Sequence, residues 1–198
     1  MRVTLIDPYG QYAGNHHYTD QLARGLTNAG AEVTVHTHDG DVDHSPDRPY
    51  TYHETFHGIY GQRHPAIRGL QFLRCLFTAY ADAVRRRADV VHVQLWQHDI
   101  REIAQVALAK LVRKNVVITV HDIVNYGTTK RARNLKWMMS NASGIIVHNQ
   151  YCYDLLTSSY HPATLIAVIP HVNQAGSLGD LPDRASARHR LNLPSDTT

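Results

Sequence analysis

Short apolar runs alternate with longer amphipathic stretches from the start of the chain to about residue 170. A short apolar run predicts a buried strand, whereas apolar residues that recur every three or four positions predict a helix. The predicted strands cover residues 2–7, 32–36, 50–57, 89–93, 116–120, 144–147 and 165–169, and the predicted helices cover 16–29, 66–87, 99–113, 128–140 and 150–158. Helices between successive strands imply crossover connections. The pattern therefore predicts a Rossmann-like α/β domain with a doubly wound, mainly parallel sheet and helices on both faces.

Two of the predicted helices have enough apolar positions to suggest an inward face. Asp99 stands at the start of the second of them, where a carboxylate complements the positive end of the helix dipole. The side chains expected to point inward are Ile67, Leu70, Leu73, Leu76, Phe77, Tyr80 and Val84 in helix 66–87, and Ile100, Ile103, Ala107, Leu108 and Leu111 in helix 99–113.

Ligands of doubly wound sheets bind beyond the carboxyl ends of the strands. In this chain that edge is formed by the loops at 8–15, 94–98, 121–127, 148–150 and 170–173. The first loop contains two glycines and leads into a helix, whose free backbone N–H groups can bind phosphate oxygens. It lacks the spacing of a dinucleotide-binding fingerprint, so an ordinary strand-to-helix turn is the alternative.

The composition narrows the classes of function. The chain has 198 residues, a net charge of +3 and a pI of about 8.9, which is less basic than a dedicated nucleic-acid binder and compatible with weak attraction to an anionic surface. Cys75 and Cys152 lie in apolar segments, which predicts reduced thiols and a cytoplasmic location. We see neither a secretory signal nor an apolar run of the ~20 residues that a membrane span needs.

Basic residues form two clusters near helix ends, with Trp137 beside the second. A basic helix with adjacent apolar residues can lie on anionic lipid, which predicts peripheral contact with the inner face of a membrane. Solvated helix ends are the alternative interpretation. The expected membrane contacts are Arg85, Arg86, Arg87, Lys130, Arg131, Arg133 and Lys136.

The chain has fifteen histidines, so a metal site has to be considered. Neither His-x-x-x-His on a helix nor a Cys-x-x-Cys pair occurs. The sequence therefore predicts no metal site.

Several segments, taken in order, resemble the N-terminal domain of the family-four glycosyltransferases, which have the two-domain GT-B fold. The similar segments are Tyr9–Asn15 with Gly30–Val35, Asp89–Val93, Val117–Asp122, Ala142–His148 and Ile166–His171. Arg190–Pro194 resembles the stretch just before the second domain of that family. The resemblance implies an acceptor-side domain over residues 1–174 and a linker over 175–198, with the C-terminal nucleotide-sugar domain absent from the chain.

The resemblance also implies an activity. We expect the whole protein to be a hexosyltransferase that moves a sugar, with retention of configuration, from a nucleotide-sugar to a carbohydrate or lipid-linked acceptor. No cofactor is implied, because the nucleotide-sugar is a substrate, and residues 1–198 alone are expected to be inactive. A sugar-nucleotide epimerase of the same fold, a non-catalytic α/β binding domain and a basic membrane or nucleic-acid adaptor remain as alternatives.

Site residues follow from the matched segments and from residue chemistry. The resemblance implies that His121 contacts the transferred sugar or the acceptor; a buried, purely structural histidine is the alternative. Asp122 is expected to act as a base or to cap the next turn, and aromatic faces at Tyr12 and Trp96 can stack on sugars or belong to the core. The expected donor or acceptor contacts are Gly10, Tyr12, Ala13, Gly14, Asn15, Trp96 and His171.

Overall fold

The computed structural model describes residues 1–10, 15–38, 48–112, 114–123, 129–171 and 182–194. Within these ranges the strands are β1 (Arg2–Asp7), β2 (Glu32–His38), β3 (Thr51–Phe56), β4 (Val90–Leu95), β5 (Asn115–Val120), β6 (Gly144–Val147) and β7 (Ile166–Val168). The helices are α1 (Asn15–Asn28), α2 (Pro65–Arg85), α3 (Ile100–Leu111), α4 (Thr129–Asn141), α5 (Gln150–Tyr160) and α6 (Arg184–Arg190). Each strand and helix predicted from the sequence has its counterpart here, with shifts of up to two residues at most ends.

The described strands form one sheet in the order β3-β2-β1-β4-β5-β6-β7, and every neighbouring pair is parallel. Successive strands are added on one side of β1 up to β3 and on its other side from β4 onward, so the carboxyl ends of β1 and β4 flank the point where ligands bind in doubly wound folds. The predicted Rossmann-like fold class is confirmed.

Helices cover both faces of this sheet. Along β1, Val3 and Leu5 belong to the core beneath α1, whereas Ile6, one position on, belongs to the larger core beneath α2 to α5. Alternate residues of a strand point to opposite faces, so these two clusters lie on opposite sides of β1. The larger cluster contains side chains from α2, α3, α4 and α5, among them Tyr80, Val106 and Leu135.

The inward faces predicted for α2 and α3 are largely wrong. On α2, Leu76 and Tyr80 are buried as expected, but Leu70 and Phe77 are 71% and 58% exposed. The other exposed members of the two predicted faces are Ile67, Leu73 and Val84 on α2 and Ile100, Ala107 and Leu111 on α3. The side chains that do face the sheet are Phe72, Cys75, Leu76, Ala79, Tyr80 and Ala83 on α2, and Glu102, Gln105, Val106, Leu108 and Ala109 on α3.

The capping prediction at α3 is confirmed, because the Asp99 carboxylate accepts hydrogen bonds from the backbone N–H groups of Arg101 and Glu102. α6 lies within residues 175–198, the segment for which the resemblance implies a linker. Cys75 is buried and Cys152 half-buried, both as free thiols. None of the described helices combines the length and apolar character needed to cross a membrane.

Candidate functional site

Hydrogen-bonded side chains link the carboxyl ends of β1, β4 and β5. Asp7 Oδ2, at the end of β1, accepts from the Thr19 hydroxyl of α1 at 2.7 Å. Thr19 Oγ1 in turn accepts from Gln94 Nε2 of β4 at 2.7 Å. The other end of the Gln94 amide, Oε1, lies 3.1 Å from His121 Nε2. His121 directly follows β5, so this network fixes its imidazole from the interior of the domain.

Three histidines stand side by side where β5, β6 and β7 end. His121 Nδ1 lies 3.1 Å from Nε2 of His148, the residue after β6. His148 Nδ1 lies 3.0 Å from the carbonyl oxygen of Ile169, and its ring centroid is 4.0 Å from that of the exposed His171. Tyr18 approaches all three rings edge-on, with centroid distances of 4.7, 5.2 and 5.3 Å to His121, His148 and His171. The strand order β5-β6-β7 thus assembles the cluster from distant parts of the sequence.

Trp96 covers the outer side of His121. The two rings are stacked, with centroids 3.5 Å apart and planes within 8° of parallel. This contact joins two residues that were predicted on separate grounds to lie in the site. Asp122, the next residue after His121, is exposed to solvent, and its roles as base or cap stay predictions.

A buried carboxylate holds the loop that carries Trp96. Glu102 Oε1 accepts from the backbone N–H groups of Trp96 and Gln97 at 2.7 and 2.9 Å, and Oε2 accepts from that of His98 at 2.6 Å. The Tyr9 hydroxyl also donates to Oε1, at 3.0 Å. Four donors on one fully buried carboxylate fix residues 96–98 between α3 and the first loop.

The first loop is shaped by Asp7. Its Oδ1 accepts from the backbone N–H groups of Tyr9 and Gly10 at 3.1 and 3.2 Å. Gly10 has a φ of +50°, and an added Cβ would lie 2.8 Å from the Cβ of His38, so the turn requires glycine on structural grounds alone.

Other members of the predicted loop site fall outside what the structure describes. Tyr12, Ala13 and Gly14 lie beyond the described residues, and their contacts stay predictions. Asn15 is the first residue of α1 in the structure rather than the residue before it.

Burial favours the neutral form of two imidazoles of the cluster, those of His121 and His148. Burial, and to a smaller extent the neighbouring His148 and His171, lower the pKa of His121 to about 2. Burial also lowers the pKa of His148, against the opposing effect of its bond to Ile169. The same cause raises the pKa of the Asp7 and Glu102 carboxyls, although their hydrogen bonds oppose the change. The site therefore offers polar groups that hydrogen-bond rather than a concentration of positive charge.

Some side chains of the predicted basic clusters form ion pairs within the domain, and others are exposed to solvent. Arg85 and Arg86 both form ion pairs with Asp82, and Arg87 is exposed at a φ of +56°. Arg133 and Lys136 are exposed on α4, and the side chains of Lys130 and Arg131 lie outside the described part of the chain.

Four side chains of this site are not among the residues predicted from the sequence: Tyr18, Gln94, Glu102 and His148. His148 ends one of the segments that carried the family resemblance, and Glu102 lies three residues after the Asp99 cap, so local signals existed for both. Tyr18 and Gln94 have no distinguishing spacing.

A separate groove of about 680 Å³ lies between α2 and the edge strand β3, lined by residues that include His53, Glu54 and Arg74, and contains no predicted site residue.

Comparison with protein families gives one match, to the model described as Glycosyltransferase Family 4, over residues 13–172. No curated protein sequence matches the chain at a significant level.

Comparison with solved structures gives folds of the same kind. Sucrose-phosphate synthase from Thermosynechococcus elongatus matches with a TM-score of 0.72 and 20% identity over 99% of this chain and 53% of that one. UDP-GlcNAc 2-epimerase from Methanocaldococcus jannaschii matches with a TM-score of 0.58 and 14% identity over 86% and 46% of the two chains. MurG from Acinetobacter baumannii matches with a TM-score of 0.52 and 15% identity over 87% and 44%. The chain thus spans about half the length of these proteins.

Proposed function

The chain belongs to glycosyltransferase family 4, and on that basis we propose that it forms the acceptor-side half of a retaining hexosyltransferase. The complete protein would transfer a sugar from a nucleotide-sugar donor to a carbohydrate or lipid-linked acceptor. Residues 1–198 span about half of the solved structures that they match, such as 53% of the sucrose-phosphate synthase chain. We therefore assign most donor contacts to a second domain and expect residues 1–198 alone to bind nucleotide-sugars weakly and to be inactive.

The observation that carries this proposal is the Trp96–His121 stack at the carboxyl end of β5. A sugar ring binds to an aromatic face that lies beside a fixed hydrogen-bonding group. The aromatic face covers the C–H surface of the sugar, and the hydrogen-bonding group binds its hydroxyls. Gln94 holds the His121 imidazole in one orientation and leaves Nδ1, which faces His148 Nε2, as the ring nitrogen that can accept from a sugar hydroxyl, and the Glu102 carboxylate holds the backbone of Trp96. Both groups are thus positioned before a substrate arrives.

Such positioning suits a transfer in which the protein supplies no covalent nucleophile. A neutral, preorganised imidazole can form hydrogen bonds that strengthen as charge develops on the transferred sugar, without a cost of reorientation. The burial that lowers the pKa of His121 favours this role over that of a cation at the donor phosphates.

The test is the substitution His121→Ala in the full-length protein. We expect kcat to fall by about 10²-fold, because a bond that strengthens in the transition state contributes to turnover more than to substrate binding. His57→Ala, at an exposed histidine after β3, serves as the control, and circular dichroism reports whether each variant is folded. Unchanged kinetics in a folded His121→Ala protein would show that the histidine is purely structural.

An epimerase remains the rival reaction, because UDP-GlcNAc 2-epimerases match the fold with TM-scores up to 0.58. At 13–16% identity those matches indicate a shared fold, whereas the family match favours the transferase. Incubating the full-length protein with nucleotide-sugars separates the two, since an epimerase changes the sugar without an acceptor and a transferase needs one.

We further propose that the protein acts at the cytoplasmic face of an anionic membrane, through the outer surface of α2. This surface consists of the exposed side chains Ile67, Leu70, Leu73, Phe77 and Val84. The exposed Arg74, Arg85 and Arg87 lie on the same helix or directly after it. α3 packs beside α2 and α4 packs beside α3, so the exposed Arg133 and Lys136 of α4 belong to the same layer of helices. Apolar side chains flanked by arginine complement a bilayer with anionic headgroups.

A further inference from the structure

The ends of three neighbouring strands place three imidazoles within reach of one ion. His121 follows β5, His148 follows β6 and His171 lies just beyond β7. Each can offer one ring nitrogen such that the three atoms lie within 4.8 Å of one another. Two of the three are held by neighbours in the protein, and the third is exposed at the surface. The site shares His121 with the proposed sugar site, but the binding of an ion by the three rings can be measured without any transfer reaction.

The hydrogen bonds fix which nitrogen of each buried ring carries a proton. His148 Nδ1 faces the carbonyl oxygen of Ile169, which only accepts, so Nδ1 carries the proton and Nε2 presents a lone pair. His121 Nε2 faces Gln94 Oε1. The orientation of the Gln94 amide follows from its other end, where Nε2 donates to Thr19 Oγ1. The Thr19 hydroxyl cannot donate to Gln94 in return, because it donates to Asp7. His121 Nε2 is therefore the donor, and Nδ1 presents a lone pair.

Two lone pairs consequently face each other across the 3.1 Å between His121 Nδ1 and His148 Nε2. Without a cation between them these nitrogens repel. A tetrahedral zinc site with Zn–N bonds of about 2.0–2.1 Å places two imidazole nitrogens about 3.3 Å apart. The observed separation is close to that value, so an ion fits with little movement of either ring.

The surroundings match those of histidines that bind metals. Such histidines donate their second ring N–H to a carbonyl or carboxylate, which fixes the tautomer and makes the ligating nitrogen more basic. His148 does so toward the Ile169 carbonyl, and His121 does so toward the Gln94 amide oxygen. These contacts use the side of each ring that points away from the other two histidines.

We propose that His121 Nδ1, His148 Nε2 and one ring nitrogen of His171 bind a single divalent transition-metal ion of the zinc class. Three neutral imidazoles suit Zn²⁺, Co²⁺, Ni²⁺ or Cu²⁺ rather than Mg²⁺ or Ca²⁺, which prefer oxygen ligands. The exposed ring of His171 reaches the ion by rotation about its side-chain bonds. A fourth coordination position stays open for water or a ligand oxygen. No motif in the sequence indicates the site, because its ligands are 27 and 23 residues apart and no two share a helix.

The test uses Co²⁺ as a spectroscopic probe on chelator-treated protein. We expect one equivalent of Co²⁺ to give the intense visible absorption of a tetrahedral ion, and Zn²⁺ to displace it. His171→Ala, at an exposed position that cannot affect the core, and His148→Gln should each weaken binding by about 10-fold or more. His189→Gln removes an exposed histidine of α6 and should leave the titration unchanged.

Thermal unfolding followed with and without Zn²⁺ gives a second readout that does not depend on activity. An ion that joins the ends of β5, β6 and β7 binds only the folded state. Zn²⁺ should therefore raise the midpoint temperature of unfolding in the wild type but not in His171→Ala. Equal Co²⁺ spectra and affinities in wild type and His171→Ala, or octahedral spectra in both, would overturn the proposal, because the ion would then be bound elsewhere.

Discussion

At the scale of single residues, Glu102 connects the core to the candidate site. Its carboxylate is fully buried and accepts from the three successive backbone N–H groups of residues 96–98. These N–H groups lie just before α3 and face away from water, so their hydrogen bonds depend on this side chain. Since Trp96 is the first of the three residues, Glu102 is a positioning residue for the ring that stacks on His121.

We expect Glu102→Gln to destabilise the domain by about 1–3 kcal/mol, because the amide nitrogen of glutamine would face backbone donors and leave at least one unsatisfied. The change should also alter the fluorescence of Trp96. Urea unfolding measures the first effect, and the emission spectrum of the folded variant, recorded in a Trp137→Phe background, measures the second. Glu54→Gln, at an exposed glutamate of β3, is the matched control. A Glu102→Gln protein with the stability and spectrum of its parent would contradict this role.

The residues that the sequence predicted and those that it missed differ in a physical way. His121 and Trp96 carry chemistry that is recognisable one residue at a time, and the structure stacks them on each other. Glu102 and Gln94 act through partners far along the chain, such as Tyr9, which is 93 residues from Glu102. Such contacts become visible only once the strand order is known.

At the scale of elements, α2 shows why an apolar pattern can mislead. The helix has apolar residues on two sides, and the pattern alone does not say which side meets the sheet. In the structure the buried side contains the small residues Cys75, Ala79 and Ala83, which allow close approach to the strands, while the larger Leu70 and Phe77 point outward. The outward residues thus need an explanation other than core packing.

If the outer surface of α2 contacts a bilayer, Leu70→Ser combined with Phe77→Ser should weaken binding to vesicles that contain phosphatidylglycerol by about 10-fold or more. The reason is that inserting these two side chains removes apolar area from water at about 25 cal/mol per Å². Co-sedimentation at increasing salt measures the binding, which should also decline because salt screens the flanking arginines.

Leu165→Ser is the matched control for this experiment, because Leu165 is 78% exposed but lies just before β7, away from α2. Equal binding to neutral and anionic vesicles, or equal losses in both variants, would contradict the membrane assignment. A change in oligomeric state without a change in vesicle binding would instead assign the surface to contact between copies of the chain.

At the scale of the whole molecule, the fold could be predicted because its signals are local. Each strand and helix has its own periodicity, and the crossover rule then leaves few topologies. Of the site, the sequence predicts the edge of the sheet and single residues such as His121 and Trp96, but not how the side chains are combined. The actual composition of the site depends on which strands become neighbours: His121 and His148 meet because β5 pairs with β6, a pairing that no local pattern specifies.

The stability of the whole domain should depend on pH through its buried histidines. Burial lowers the pKa of His92 to about 4, from an ordinary value of 6.5, and that of His36 likewise to about 4. His92 contacts Thr119 Oγ1, whereas His36 faces Asp82, Arg86 and His53 as well as Thr55. Between pH 6.5 and 4 the unfolded chain binds protons that the folded domain does not, so stability is complete above pH 6.5 and is lost as the pH falls toward 4.

Each of these histidines should contribute about 3 kcal/mol at neutral pH, since a difference of one pH unit between folded and unfolded pKa corresponds to about 1.4 kcal/mol. His92→Gln removes one titrating group while keeping a side chain that can bond to Thr119. We therefore expect urea unfolding at pH 7, 6 and 5 to show a slope smaller by about 1.4 kcal/mol per pH unit than in the wild type. Thr119→Val, which removes the same hydrogen bond but leaves His92 in place, should lower stability at every pH without changing the slope. If His92→Gln and the wild type lose stability in parallel between pH 7 and 5, His92 does not couple folding to pH, and its pKa is then the same in the folded and the unfolded chain.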